Sequence, residues 1–323
     1  MRLIAQLSSL LVRGSALMLG LVGATLAIAS LGGALSPALD SLTHMAPLWL
    51  GMGAGAVILG LAFARGAERK AIVILGVVAL CGSALLIREE VWSASRYKPE
   101  PIAPGDLKLI QFNAWEENDA PARSLAWLLA QDADIVVIEE GGGAARRIIK
   151  GLRAAYPFTS CATARCEPWI FSRKKMTASG ALPRGVAGVW AVIENPAGPI
   201  PIIGVHYVWP LPAGRQQAQS AMLVKAASGF DPESLIIAGD FNSTPWSFTL
   251  KRQDRALGLQ RWTRALPSWP AGQFSRVATA PAPILPIDHV YSGSAWRAVK
   301  VERGPAIGSD HHPIVVTFRR QEK

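Results

Sequence analysis

Hydrophobic positions are distributed along this chain in two unlike ways. Through the first ninety residues they run together. Residues 14–39 carry no formal charge over 26 positions, residues 45–64 none over 20, and residues 71–87 none over 17. A bilayer core takes about 20 apolar residues per helix, with about 17 as the lower limit. No amphipathic period breaks the runs, as it would in helices half-buried in a soluble core. The pattern therefore predicts a membrane domain over residues 1–90 with three transmembrane helices. A cleaved signal peptide, suggested by Arg2 and Arg13, would account for the first run and leave the other two unexplained.

Orientation follows from the short loops. The first loop, around Asp40 and His44, has no Lys or Arg, whereas the second carries Arg65, Arg69 and Lys70. The positive-inside bias puts the N-terminus and the second loop in the cytoplasm. An odd number of spans then leaves everything after Glu90 on the periplasmic (extracytoplasmic) side of an inner membrane. The stretch EVWSASRYKPEPIAPGD is proline-bearing and aperiodic and reads as a linker over residues 91–106.

Beyond the linker the apolar residues come in short packets. LKLIQFN, DIVVIEE, PWIFSR, GVWAVIEN, PIPIIGVHYVWP and SLIIAGD read as strands, as do PIDHVYSG and HHPIVVTFRR near the end. Helical spacing marks ARSLAWLLAQ, with Asp119 as its cap and Pro121 in its first turn, and also AARRIIKGLRAA and GRQQAQSAMLVKAAS. Strand–strand connections mixed with strand–helix–strand ones predict a layered α/β sandwich over residues 107–323. No glycine-rich phosphate loop follows a strand, which argues against the doubly wound nucleotide-binding folds.

Composition and charge add a partner class. From residue 96 onward there are 27 Lys and Arg against 19 Asp and Glu, an excess of +8. That excess suits a polyanion or an anionic leaflet, although basic runs such as Arg173, Lys174 and Lys175 are ordinarily solvated faces. Cys161 and Cys166, with no further Cys or His beside them to complete a zinc site, are either a local disulfide or two free thiols. The disulfide would need the oxidising compartment that the orientation implies.

The strand ends carry the chemistry. Asn113 closes the first strand, and Glu139 and Glu140 the second. His206 lies near the end of a later one, Asp240 and Asn242 follow the next, Asp288 sits in PIDHV, and SDHHP supplies Asp310 and His311. A single Asn or Asp after a strand is ordinarily a turn former. Acids at one strand end after another are different, because clustered carboxylates repel unless a cation offsets them.

In order and spacing, IQFNAW, DIVVIEE, GVHYVWP, IIAGDFNSTPWS, PIDHVYSG and GSDHHPIVV resemble the motifs of the endonuclease/exonuclease/phosphatase superfamily, the deoxyribonuclease I-like proteins. The three-span front end is similar to that of membrane-anchored bacterial members. The resemblance implies two mixed β-sheets packed face to face, helices outside, and a site at one edge. It implies Mg²⁺, for which Mn²⁺ can substitute, on Asn113, Glu140 and Asp310. Asp240 corresponds to the acid that orients or deprotonates the attacking water, Asn242 to the amide on the phosphate, and His206 to a phosphate-oxygen contact. Asp288 and His311 correspond to the carboxylate–imidazole pair. Glu139 departs from the pattern, which has Gln there.

The residue types agree with these roles independently. Asn113, Glu140 and Asp310 are oxygen donors without a thiolate, which suits Mg²⁺ better than zinc. An imidazole oriented by a carboxylate suits acid–base work near neutral pH. The expected function is a membrane-anchored, metal-dependent phosphoesterase, first of all an endonuclease- or exonuclease-type enzyme acting on nucleic acid. The alternative is a phospholipid or small-molecule phosphodiesterase or phosphatase. The lipid bilayer is an expected partner through the three N-terminal helices, and no protein partner is implied.

Overall fold

The computed structural model describes residues 2–160, 167–211, 214–275 and 278–321. Cys161 and Cys166 lie outside them. The uncharged runs form three long helices, α1 (Arg2–Leu31), α3 (Ala46–Phe63) and α4 (Gly66–Ser95), with a short α2 (Pro37–Thr43) after the first. All three long helices are apolar enough to cross a membrane, which marks the chain for membrane association. Because α4 continues through Ser95, the beginning of the expected linker is helical.

One compact unit takes in residues up to 93 together with Trp246–Thr249. Within it α3 and α4 meet backbone to backbone. A Cβ on Gly53 would lie 2.7 Å from Gly76 O, and one on Gly76 2.8 Å from Gly53 O. Glycines permit that approach where lipid leaves van der Waals packing to hold helices together. Buried Asp40 accepts hydrogen bonds from Phe248 N and Thr249 N, both at 2.7 Å, and Trp246 Nε1 donates to Thr43 O at 2.8 Å.

The second unit covers the described residues of Ala94–Leu211, Arg215–Pro245 and Leu250–Lys323. Its early strands are β1 (Leu107–Asn113), β2 (Ile135–Glu139), β3 (Phe158–Thr159) and β4 (Trp169–Ser172). Then come β5 (Met176–Ala181), β6 (Ala187–Ile193), β7 (Ile200–His206), β8 (Ile236–Asp240) and β9 (Gln260–Arg261). A small hairpin, β10 (Gln273–Ser275) with β11 (Ala278–Thr279), precedes β12 (Asp288–Ser292), β13 (Trp296–Arg303) and β14 (Ile314–Arg320). Two six-stranded sheets result, ordered β13-β14-β1-β2-β4-β3 and β5-β6-β7-β8-β12-β9. Each is mixed: β1–β2 and β7–β8 are parallel, and the other pairs antiparallel.

Alternation along the strands decides what each face does. Leu109, Val137, Ile202, Ala238, Val290 and Val316 point between the sheets and form one core. The intervening residues face helices. Ile110, Phe112 and Val136 pack on α5 (Pro121–Ala130) and α6 (Arg146–Ala155), while Ile203, Val205 and Ile237 pack on α7 (Arg215–Ala227) and on Leu250 of α8 (Phe248–Leu257).

Local details depart from the sequence pattern. The Asp119 cap does not form: α5 starts at Pro121, and it is Asn118 Oδ1 that accepts from Ala120 N, at 3.0 Å. β5 (MTASGA), at a sheet edge and mostly exposed, has no apolar alternation to reveal it. The linker's distal half is fastened by a side-chain and a backbone bond: Arg319 Nε donates to Asp106 Oδ1 at 2.9 Å, and Glu100 N donates to Val299 O at 2.8 Å.

Candidate active site at the paired strand ends

The inward faces of the strands are apolar along their length and turn polar at one end. On β1 the inward series runs Leu107, Leu109, Gln111, Asn113, and on β2 Ile135, Val137, Glu139. On β7 it runs Ile202, Gly204, His206, on β8 Ile236, Ala238, Asp240, and on β12 Asp288, Val290. Register aligns the polar ends, with Asn113 opposite Glu139, His206 opposite Asp240, and Asp240 opposite Asp288. The site is thus the sandwich interior continued into polar residues. Glu140 and Asn242 follow two of these strand ends with φ of 52° and 45°. Such left-handed backbone in a non-glycine residue concentrates at functional sites.

The side chains meet directly. Asn113 Nδ2 donates to Glu140 Oε1 and to Asp240 Oδ2, each at 3.0 Å, while its Oδ1 accepts from Trp115 N at 3.0 Å. His206 Nε2 lies 3.5 Å from Glu140 Oε1 and 3.7 Å from Asp240 Oδ2. Asn242 N donates to Asp240 Oδ1 at 2.7 Å, and its Nδ2 is engaged by Tyr207 O at 2.8 Å and Asp240 Oδ2 at 3.2 Å. His311 Nδ1 pairs with Asp288 Oδ2 at 2.8 Å, and its Nε2 stands 3.8 Å from Asp240 Oδ2. Asp310 is set apart from the tight groupings, its Oδ2 accepting from Trp269 Nε1 at 3.1 Å.

Sequence reasoning missed three partners. Glu167 Oε1 holds His206 Nδ1 at 3.1 Å and accepts from Glu140 N at 3.0 Å. Gln111 Nε2 bridges Glu139 Oε2 (2.9 Å) and Asp288 Oδ1 (2.7 Å). Ser309 Oγ donates to Asn113 O at 2.7 Å and accepts from His311 N at 3.0 Å. Gln111 carried a usable signal, two residues before Asn113 on the same strand face. Glu167 carried none, since its contacts bridge elements remote in sequence.

Electrostatics separates these groups. Burial alone would lower His206, but the Glu167 hydrogen bond and the Asp240 and Glu140 charges raise it to about 9. Burial raises Asp240 to about 6 against the pull of His311. Burial would also lower His311, yet Asp288 and Asp240 hold it well above its ordinary value. Fully buried Glu139 is pushed well above the carboxylate range by burial, then by Asp288 and Asp240.

Burial and mutual repulsion among these carboxylates leave the centre short of positive charge. One ligating atom each from Glu140, His206 and Asp240 lie within 4.8 Å of one another, as do those of Asp240, Asp288 and His311. The carboxylate oxygens among them suit a hard divalent cation, whereas the imidazoles would suit zinc better.

A profile described as the Endonuclease/Exonuclease/phosphatase family matches residues 110–311. No curated protein matches the chain. Among solved structures, an endonuclease/exonuclease/phosphatase from Beutenbergia cavernae DSM 12333 is similar at 18% identity and a TM-score of 0.50, over 67% of this chain and 72% of that one. D. rerio TDP2, complexed with single strand DNA product, is similar at 16% and 0.53, over 67% of this chain and 100% of its own. The human Nocturnin catalytic domain, with bound sulfate, is similar at 16% and 0.50, over 71% and 99%. At these identities the likeness is one of fold, two packed mixed sheets with outer helices.

Proposed function

The chain belongs to the endonuclease/exonuclease/phosphatase family, whose members are divalent-metal-dependent hydrolytic phosphoesterases, and from that premise we propose that it is a membrane-anchored, Mg²⁺-dependent phosphodiesterase. The three long helices, the last running to Ser95, anchor it in the inner membrane, the rest of the stretch up to residue 106 links, and residues 107–323 form the catalytic domain on the periplasmic side. The observation that carries the reading is the convergence of Asn113, Glu140, His206 and Asp240, from four separate elements, within hydrogen-bonding or ion-pair distance.

Glu140, with Asn113 and Asp310, would hold the metal. Bound there, Mg²⁺ would offset charge on the phosphoryl oxygens and favour ionisation of the attacking water. Asp240, fixed by the Asn113 and Asn242 amides, orients that water and accepts its proton. His206, protonated at neutral pH and held by Glu167, presents an N–H to a non-bridging oxygen, where a pre-set donor stabilises the transition state. Asn242 would add a second phosphate contact by turning one Nδ2 hydrogen from Asp240 Oδ2 to the phosphate while keeping Tyr207 O. His311, oriented by Asp288, stands 3.8 Å from Asp240 and serves as the acid–base partner.

Nucleic acid is the diester that the +8 charge favours, and a phospholipid head group is the one that the apolar helices favour. The test uses the full chain in nanodiscs with Mg²⁺, supplied with plasmid DNA, with the nanodisc phospholipids, or with bis(p-nitrophenyl) phosphate. Hydrolysis that EDTA abolishes and Mg²⁺ restores is the expected result. No EDTA-sensitive hydrolysis of any of the three would refute the reading.

A further inference from the structure

The loop after His206 exposes large apolar side chains beside the reacting centre. Val208 is 37% exposed, Trp209 50% and Leu211 73%. The backbone beneath them is fastened. Val208 N donates to Gln219 Oε1 at 2.8 Å, and Val208 O accepts from Gln216 Nε2 at 3.1 Å. Gln216 Nε2 also reaches Phe241 O at 3.1 Å and Asn242 O at 2.9 Å, tying the loop to the strand end that carries Asp240. The fold thus holds the main chain in place and leaves its apolar tips outside.

The rim continues on a second segment. The Trp209 ring packs edge-on against Trp269, with centroids 5.6 Å apart and planes at 80°. Trp269 Nε1 is the donor to Asp310 Oδ2, and Trp269 O accepts from Ile284 N at 2.9 Å. Ile284 is itself 46% exposed. One indole therefore separates an exposed apolar rim from an acid of the candidate site.

Exposed apolar residues gathered beside a site mark an interaction surface. Neither residues 207–214 nor residues 279–287 contain a Lys or Arg, whereas a nucleic-acid groove interleaves aromatic platforms with cations. Tryptophan is at home at the lipid–water interface, and the chain carries three helices long and apolar enough to cross a bilayer. Resting on the phosphodiesterase reading above, we propose that Val208, Trp209, Leu211 and Ile284 form a lipid-contacting rim. The site then acts on the phosphodiester of a phospholipid head group.

The test compares the full-length wild type with Trp209→Ser and Leu211→Ser in phosphatidylethanolamine–phosphatidylglycerol nanodiscs. Mg²⁺-dependent head-group release is measured against hydrolysis of bis(p-nitrophenyl) phosphate, whose rate also reports an intact fold. The ratio of the two should fall about tenfold in each variant, the scale of losing one large apolar contact. An unchanged ratio in both variants overturns the rim, as does a wild type that cleaves the soluble diester but releases no head group. A Trp209→Ser defect confined to single-stranded DNA cleavage overturns it too, making Trp209 a base-stacking residue. Loss of even the soluble activity in the wild type would instead overturn the phosphodiesterase reading itself.

Discussion

Asp288 and His289 are neighbours on β12, and the two faces of that strand treat buried polar groups in opposite ways. On the inner face Asp288 pairs with His311, and Asp240 stands opposite in register. On the outer face His289 Nε2 meets Ser243 O at 2.8 Å and Nδ1 meets Thr263 Oγ1 at 3.2 Å, both neutral partners, so the ring is satisfied as one neutral tautomer. Both histidines are buried. Burial, helped by Arg261, drives His289 down to about 3, whereas two carboxylates overcome burial and hold His311 well above its ordinary value. Charge left unbalanced inside a protein is costly unless something else balances it. The inner face accordingly reads as a place for a cation and a phosphate, and the outer face as structure.

The contrast can be broken by substitution. On the inner face, Asp240→Asn and His311→Ala should each lower metal-dependent hydrolysis at least about 10²-fold; the melting temperature should hold or rise for Asp240→Asn, which relieves carboxylate repulsion, and fall for His311→Ala, which leaves buried Asp288 without its partner. A steady-state assay paired with a thermal melt checks both halves, and near wild-type turnover in both variants would sink the assigned roles. The outer face should behave in the reverse way. Arg261, 1% exposed, is bound to Asp254 Oδ2 at 3.0 Å, and that carboxylate also accepts from Tyr291. Arg261→Ala should destabilise the fold by about 3 kcal/mol, seen as a lower denaturation midpoint, with turnover per folded molecule retained.

Acid sharpens the comparison further. His289 has a lower pKa folded than unfolded, so the unfolded chain takes up the extra proton. The stability contributed by the neutral ring is complete above pH 6.5 and is lost as pH falls toward about 3. Between about pH 7 and pH 5 this amounts to roughly 2 kcal/mol. His289→Gln should flatten that part of the stability–pH curve, and an unchanged slope would show that another group titrates there. The smallest effect belongs to a residue acting through another. Glu167→Gln keeps the shape but weakens the grip on His206, and turnover should fall roughly tenfold, with the alkaline limb of the pH–rate profile moving to lower pH. A purely structural Glu167 would leave that limb where it is.

Much of this was legible one residue at a time. Asn113, Glu140, His206, Asp240 and His311 announce themselves because each interrupts or ends an apolar packet, and that signal survives without coordinates. Glu139 and Glu140 show where such reading stops. Adjacent acids look alike in sequence, yet alternation buries Glu139 against Gln111 while the left-handed turn at Glu140 carries its carboxylate to Asn113 and His206. Trp246 shows the same limit. It lies four residues after Asn242 in sequence, yet its ring is buried and its Nε1 donates to Thr43 O.

The amino-acid sequence by itself determined the three apolar helices, the short alternating strands and the polar character of the strand ends, because each is a local pattern that burial acts on directly. Only the tertiary structure decided which atoms meet. Strand order and register bring β1, β2, β7, β8 and β12 to one edge, and Gln111, Glu167 and Ser309 take their parts through contacts that span the chain. Such pairings depend on how two sheets stack, a non-local outcome that no run of neighbouring residues encodes.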